Sequence, residues 1–137
     1  DIDNPRNRIR HRLLPELDLA LGGSSRANLA RAASLAREDG EWLDSLAEEQ
    51  LAIVAVKTPE GLALDAAEVA RMPLPLARRV VLKGLRKVAD GREVGQEHVE
   101  AVIDAASGGS GGVDVPGGRV EPKAGKLVLL RQKASLK

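Results

Sequence analysis

Residues 73–91, PLPLARRVVLKGLRKVADG, constrain the fold more than any other segment of the chain. They predict a helix that follows two prolines and ends at Asp90 and Gly91. A stripe of apolar residues at helical spacing predicts one core-facing side, formed by Leu74, Ala77, Val81, Leu85 and Val88. The opposite side is basic, with Arg79, Lys83 and Lys87 at intervals of four and Arg86 beside them. Such a helix requires other elements that cover its apolar side.

Helical periodicity predicts three further helices, over about residues 6–20, 26–50 and 97–106. Pro15 should kink or break the first helix, because proline lacks an amide hydrogen. Ser24 or Ser25 is the expected N-cap of the second, and Asp65 is expected to cap a short helix that runs to Arg71.

Several short segments predict strands. The run LAIVAV (51–56) is either the first strand of a hairpin around a Pro/Gly turn or the buried end of the preceding helix. After the glycine-rich stretch SGGSGG (107–112), residues 113–133 predict short strands separated by Pro-Gly-Gly and Lys-Ala-Gly turns. The predicted fold class is therefore α+β, mainly helical with a few short antiparallel strands.

Charge is strongly segregated along the chain although the net charge is only +1. Residues 37–70 carry nine acids and two bases, whereas residues 71–92 carry seven bases and one acid. Residues 119–137 carry six bases and one acid. This pattern is typical of a protein that faces a phosphate backbone on one side. Trp42 is the only aromatic residue and is interpreted as a core anchor, which argues against base stacking on aromatic platforms.

Few residues suggest chemistry within this chain. Neither His11 nor His98 has a metal-ligand spacing, so we predict no metal site and no catalytic residue, and His98 should lie on a helix face or be partly buried. The stretch SGGVD (110–114) resembles the ATP-binding signature SGGxDS of the PP-loop pyrophosphatases. It lacks the final serine and the surrounding strand–loop–helix pattern, so we interpret it as a look-alike. No apolar segment is long enough for a membrane span, and we expect a cytoplasmic protein without a membrane partner.

The opening DIDNPRNRIRHRLLPEL resembles the end of the catalytic domain in the tRNA(Ile)-lysidine synthases. The matching positions are Asp1, Asn4, Arg6, Asn7, Arg10 and Pro15. The stretches EDGEWLDSLAEE, PLPLARRVVLKGLRKV and GREVGQEHVEAVIDAASGGSGGVDVPGG follow in the order of that family. One departure is that only Pro5 separates Asn4 from Arg6, where the family has a longer spacer.

The resemblance implies a domain plan. Residues 1–22 would be the end of the catalytic domain and a linker helix. Residues 23–106 would form a helical tRNA-recognition domain, and residues 107–137 a glycine-rich loop with short strands packed on it.

The resemblance also implies an activity, an ATP-dependent ligase that joins lysine to C2 of the wobble cytidine of a minor isoleucine tRNA and so forms lysidine. Its partners would be tRNA(Ile) and the co-substrate lysine. ATP and Mg would bind to a catalytic domain that lies outside this chain, which lacks the PP-loop and should be inactive alone. The sequence leaves the oligomeric state open.

By the same resemblance, Arg6, Asn7 and Arg10 would lie at the rim of the active site and hold tRNA through charge-assisted hydrogen bonds. The tRNA backbone would be contacted by Arg78, Arg79, Lys83, Arg86 and Lys87. Two alternatives stay open at this point. One is a non-catalytic basic adaptor that binds nucleic acid, and the other is a helical protein-interaction domain whose acidic region meets a basic partner.

Overall fold

The computed structural model describes residues 4–109 and 111–132. Asp1, one of the positions that carry the family resemblance, lies outside the described residues, as does Ser110. The chain folds as two compact units, one extending to Glu41 and the other beginning at Trp42.

The first unit contains helices and no strand in its described part. Helix α1 (Pro5–Arg8) continues through a π-helical segment (Ile9–Leu13) into α2 (Leu14–Leu21). The irregularity predicted at Pro15 therefore takes the form of a π-helical segment that ends two residues before it. Gly22 ends α2 with a left-handed backbone, φ 86°, and α3 (Ser25–Val54) begins three residues later.

The second unit combines the end of α3 with a sheet and three shorter helices. The helices are α4 (Ala66–Arg71), α5 (Leu74–Val88) and α6 (Gln96–Ala106). The strands are β1 (Ala55–Thr58), β2 (Gly61–Asp65), β3 (Val113–Val115), β4 (Gly118–Lys123) and β5 (Lys126–Arg131). This confirms the predicted α+β class. Both readings of residues 51–56 hold in part, because α3 extends to Val54 and the strand begins at Ala55.

All five strands form one antiparallel sheet in the order β1-β2-β5-β4-β3. The hairpin β1–β2 joins the later strands through β2 and β5, where Leu62 faces Leu129 and Leu64 faces Leu127. Because alternate strand residues share a face, these four leucines form one apolar surface. All four are buried.

Helix α5 covers this apolar surface together with α6. Its buried stripe is wider than predicted and comprises Leu76, Ala77, Val80, Val81, Gly84, Leu85 and Val88. The prediction for Leu74 was wrong, because its position at the first residue of the helix leaves it 44% exposed.

Trp42 is not the predicted core anchor, since it is 65% exposed. On α3 the fully buried positions in the second unit are Ala47, Leu51 and Val54. Trp42 lies more than one helical turn before Ala47, ahead of the covered part of the helix.

The sheet permits a direct test at Gly118, which pairs with Arg131 of β5. A Cβ atom at position 118 would overlap the backbone carbonyl oxygen of Leu130, so we expect G118A to lower the free energy of unfolding by about 3 kcal/mol. Gly125 has φ 79° and open space around its Cα, and G125A should cost only about 1 kcal/mol. Urea denaturation of both variants checks this, and equal losses would contradict the close approach of β4 and β5.

Candidate nucleic-acid interface

The arginine-rich opening is helical, with Arg6 on α1 and Arg10 in the π-helical segment, and both side chains are exposed. Asn7 lies between them and is half-buried. Asn4 caps α1 by accepting a hydrogen bond from the Arg6 amide at 2.9 Å, with Pro5 at the first helical position. A local capping sequence therefore starts the helix that carries the three predicted rim residues.

The π-helical segment and Pro15 together leave the Arg10 carbonyl without a backbone donor. The Leu14 amide donates to the Ile9 carbonyl, five residues back, rather than to the Arg10 carbonyl, four residues back. In the π pattern the Arg10 carbonyl would accept from residue 15, but proline has no amide hydrogen. Arg26 Nη2 on α3 supplies the missing donor at 3.3 Å.

Asp18 holds this arrangement together. One of its carboxylate oxygens accepts from the Ser25 amide at 3.1 Å, at the start of α3, and the other lies 3.6 Å from Arg26 Nε. The carboxylate thus caps α3 and orients the guanidinium that satisfies the Arg10 carbonyl. The backbone that presents Arg10 is fixed by these contacts.

The basic side of α5 is largely paired with acids of the same unit. Arg78 Nε lies 2.6 Å from Glu100 Oε1 on α6. On α3, Asp44 Oδ1 lies 3.7 Å from Arg79 Nη1, and Glu48 Oε2 lies 3.2 Å from Lys83 Nζ. The acidic run and the basic run of the sequence therefore meet within the fold.

Arg86 and Lys87 differ from the other three cations of α5. Both are exposed, and among residues 4–109 and 111–132 neither forms an ion pair with a carboxylate. The structure therefore divides the five predicted backbone contacts into a paired group and an unpaired group. The rim residues belong to the first unit and these five to the second.

Two cations that sequence reasoning missed lie near Lys87. Arg131, at the end of β5, donates from Nη2 to the Lys87 carbonyl at 2.9 Å. Lys57 on β1 lines a surface cleft together with Lys87 and Arg131. The three residues are far apart in sequence, and no local pattern links them.

The remaining candidates have structural roles. His98 Nδ1 accepts a hydrogen bond from the Gly95 amide at 3.0 Å at the start of α6, and its side chain is partly buried as predicted. Hydrogen bonds to Glu121 and Asp114 raise the pKa of Arg119, so this guanidinium is engaged within the sheet. In the described part of the chain no helix is both long and apolar enough to cross a membrane.

The role of Asp18 can be tested by hydrogen exchange. We expect D18A to remove the cap of α3 and to accelerate exchange of the Ser25 amide about fivefold, for a cap worth roughly 1 kcal/mol. E16A, which removes an exposed acid from the same helix, is the matched control. If the two variants exchange alike at Ser25, the Asp18 contact does not hold the junction.

Comparison with known proteins identifies relatives along nearly the whole chain. A tRNA(Ile)-lysidine synthase of Cutibacterium acnes is 38% identical over 128 residues, which are 93% of this chain and 38% of that protein. The proteins of the same name from Streptomyces coelicolor and Rhodococcus erythropolis are 33% and 37% identical over 93% and 96% of this chain.

No protein-family model matches the sequence. The chain spans less than two fifths of the length of each of these three relatives. It is therefore related to the tRNA(Ile)-lysidine synthases and corresponds to a portion of them, which confirms the resemblance predicted from its opening residues.

Proposed function

We propose that this chain is the tRNA-recognition part of an ATP-dependent ligase that joins lysine to C2 of the wobble cytidine of a minor isoleucine tRNA. The observation that carries this proposal is the similarity to tRNA(Ile)-lysidine synthases over 93% of the chain but only 38% of the relative's length. In this proposal the chain follows the catalytic domain. Residues 1–22 end that domain and link it to the rest, and lysine and ATP bind outside this chain.

The exposed cations support a role in holding RNA. Arg6 and Arg10 present guanidinium groups beside the half-buried Asn7, at the proposed rim of the active site. Arg86 and Lys87 offer charges that no described carboxylate neutralises. Contacts of this kind fix the register and orientation of a nucleic acid and carry no chemistry themselves.

The glycine-rich segment does not fit ATP. A phosphate-binding loop presents its amides at the start of a helix, because the helix dipole favours an anion there. Gly111 and Gly112 lead instead into the strand Val113–Val115. We therefore assign these glycines no role in binding ATP. We expect the chain alone to be inactive as a ligase.

Filter binding of the purified chain to a tRNA(Ile) transcript and to duplex DNA, at 50 and 200 mM salt, tests the proposal. We expect a preference for tRNA and, for roughly four phosphate contacts, an affinity that falls about 100-fold between the two salt concentrations. Equal affinity for both nucleic acids would favour a general adaptor. No binding to either would favour a protein-interaction domain.

The ion pairs of α5 lead to a further prediction. If Arg79 and Lys83 also contact phosphate, Asp44 and Glu48 compete with the RNA for them. The distance between Arg79 and Asp44 is long for an ion pair, at 3.7 Å. The Nε atom of Arg79 is buried and has no hydrogen-bond partner among the described residues. We expect D44N/E48Q to raise tRNA affinity about twofold to fivefold, in line with the modest energy of exposed pairs.

The matched control is D39N/E49Q, which removes two exposed acids of α3 that have no ion pair within the described ranges. Affinity measured at the same salt concentration should rise more in D44N/E48Q than in this control. An equal rise would show that net charge alone is responsible and that Arg79 and Lys83 are not released.

A further inference from the structure

We infer that a cleft between the β1–β2 turn, the end of α5 and the end of β5 binds a phosphate group of the RNA backbone. This inference rests on the proposed function and adds a site to it. The cleft has a volume of about 420 Å³. Its lining consists of Lys57, Thr58, Pro59, Gly61, Leu62, Lys87, Val88 and Arg131.

The charge of the lining favours an anion. Lys57, Lys87 and Arg131 are all exposed, and the lining contains no acidic residue. Earlier along the same side of α5, by contrast, the cations Arg79 and Lys83 face carboxylates. Three like charges around one cleft repel one another, and a bound phosphate removes that repulsion.

Backbone contacts place the guanidinium of Arg131 before any ligand binds. The Arg131 amide donates to the Glu60 carbonyl at 3.0 Å, and Nη2 donates to the Lys87 carbonyl at 2.9 Å. The second bond also offsets the negative end of the α5 dipole, next to which an anion would otherwise be repelled. A guanidinium has five N–H groups, so donors remain for a phosphate oxygen.

Thr58 provides an independent indication. Its hydroxyl is buried and has no hydrogen-bond partner among the described residues. Buried hydroxyl groups are nearly always hydrogen-bonded, because an unpaired one costs free energy. Thr58 lines the cleft, and a rotation of its side chain toward the cleft would give a bound phosphate oxygen this donor.

Phosphate charge, rather than a base, is what this cleft can recognise. The only aromatic residue of the chain is Trp42, which is not in the lining, so no base can stack there on an aromatic ring. Arg86 is exposed beside Lys87 in sequence and extends the positive surface beyond the cleft. An extended polyanion uses both features, whereas free phosphate uses only the cleft.

Binding of a tRNA(Ile) transcript to K57Q/R131Q tests the inference. We expect about a tenfold loss of affinity at 0.1 M salt and a salt slope reduced by about one for each cation removed. The control K123Q/K126Q removes two exposed lysines that flank the β4–β5 turn, at the other end of β5, and should change affinity little. Melting temperatures of both variants exclude a loss of folding. K57Q alone, which leaves the Arg131 contacts intact, should still reduce the slope.

The outcomes separate the cleft from the proposed function. If the wild-type chain binds tRNA and K57Q/R131Q binds it with the same affinity and slope, the cleft is not a site although the function stands. If the wild-type chain ignores tRNA, the proposed function itself fails. Chemical shifts of the Thr58 amide identify the source of the phosphate. A change in these shifts with tRNA at constant ionic strength supports the inference. A change with inorganic phosphate and none with tRNA overturns it.

Discussion

The pairing of β2 with β5 is the constraint on which the second unit depends. Leu62 and Leu64 meet Leu129 and Leu127 across this pair, and these side chains form the surface that α5 covers. Strands about 60 residues apart must meet, so the entropic cost of closing the loop precedes the gain from burial. Without the pairing the chain would hold the β1–β2 hairpin and a separate three-stranded sheet, each with little to bury. The same pairing brings Arg131 to the end of α5 and so forms the basic cleft.

Helix α5 serves both the core and the charged surface. Its apolar stripe fills the space above the sheet, while three of its basic residues pair with Asp44, Glu48 and Glu100 on neighbouring helices. Exposed pairs of this kind add little stability but reduce the charge available to a polyanion. The effective positive surface therefore shifts toward the C-terminal end of α5. A segregated charge pattern in a sequence thus overstates the charge that the folded surface presents.

A single proline affects the helical hydrogen bonding of the first unit. The helix has the π pattern before Pro15, which cannot donate a backbone hydrogen bond, and the Arg10 carbonyl accepts from Arg26 instead. Asp18 then joins α2 to the start of α3. The relationship to tRNA(Ile)-lysidine synthases gives the exposed arginines of this segment their proposed meaning, and their local geometry follows from the proline and its neighbours.

Local residues alone determined much of this fold. The cap at Asp65, the glycines after α2 and the periodicity of α5 act within a few residues, so their helices could be predicted. The opening residues likewise indicated the family resemblance. The single sheet, the exposure of Trp42, the ion pairs of α5 and the placement of Lys57 and Arg131 around one cleft were not predictable. Each of these depends on segments distant in sequence, whose contacts form only when the core brings them together.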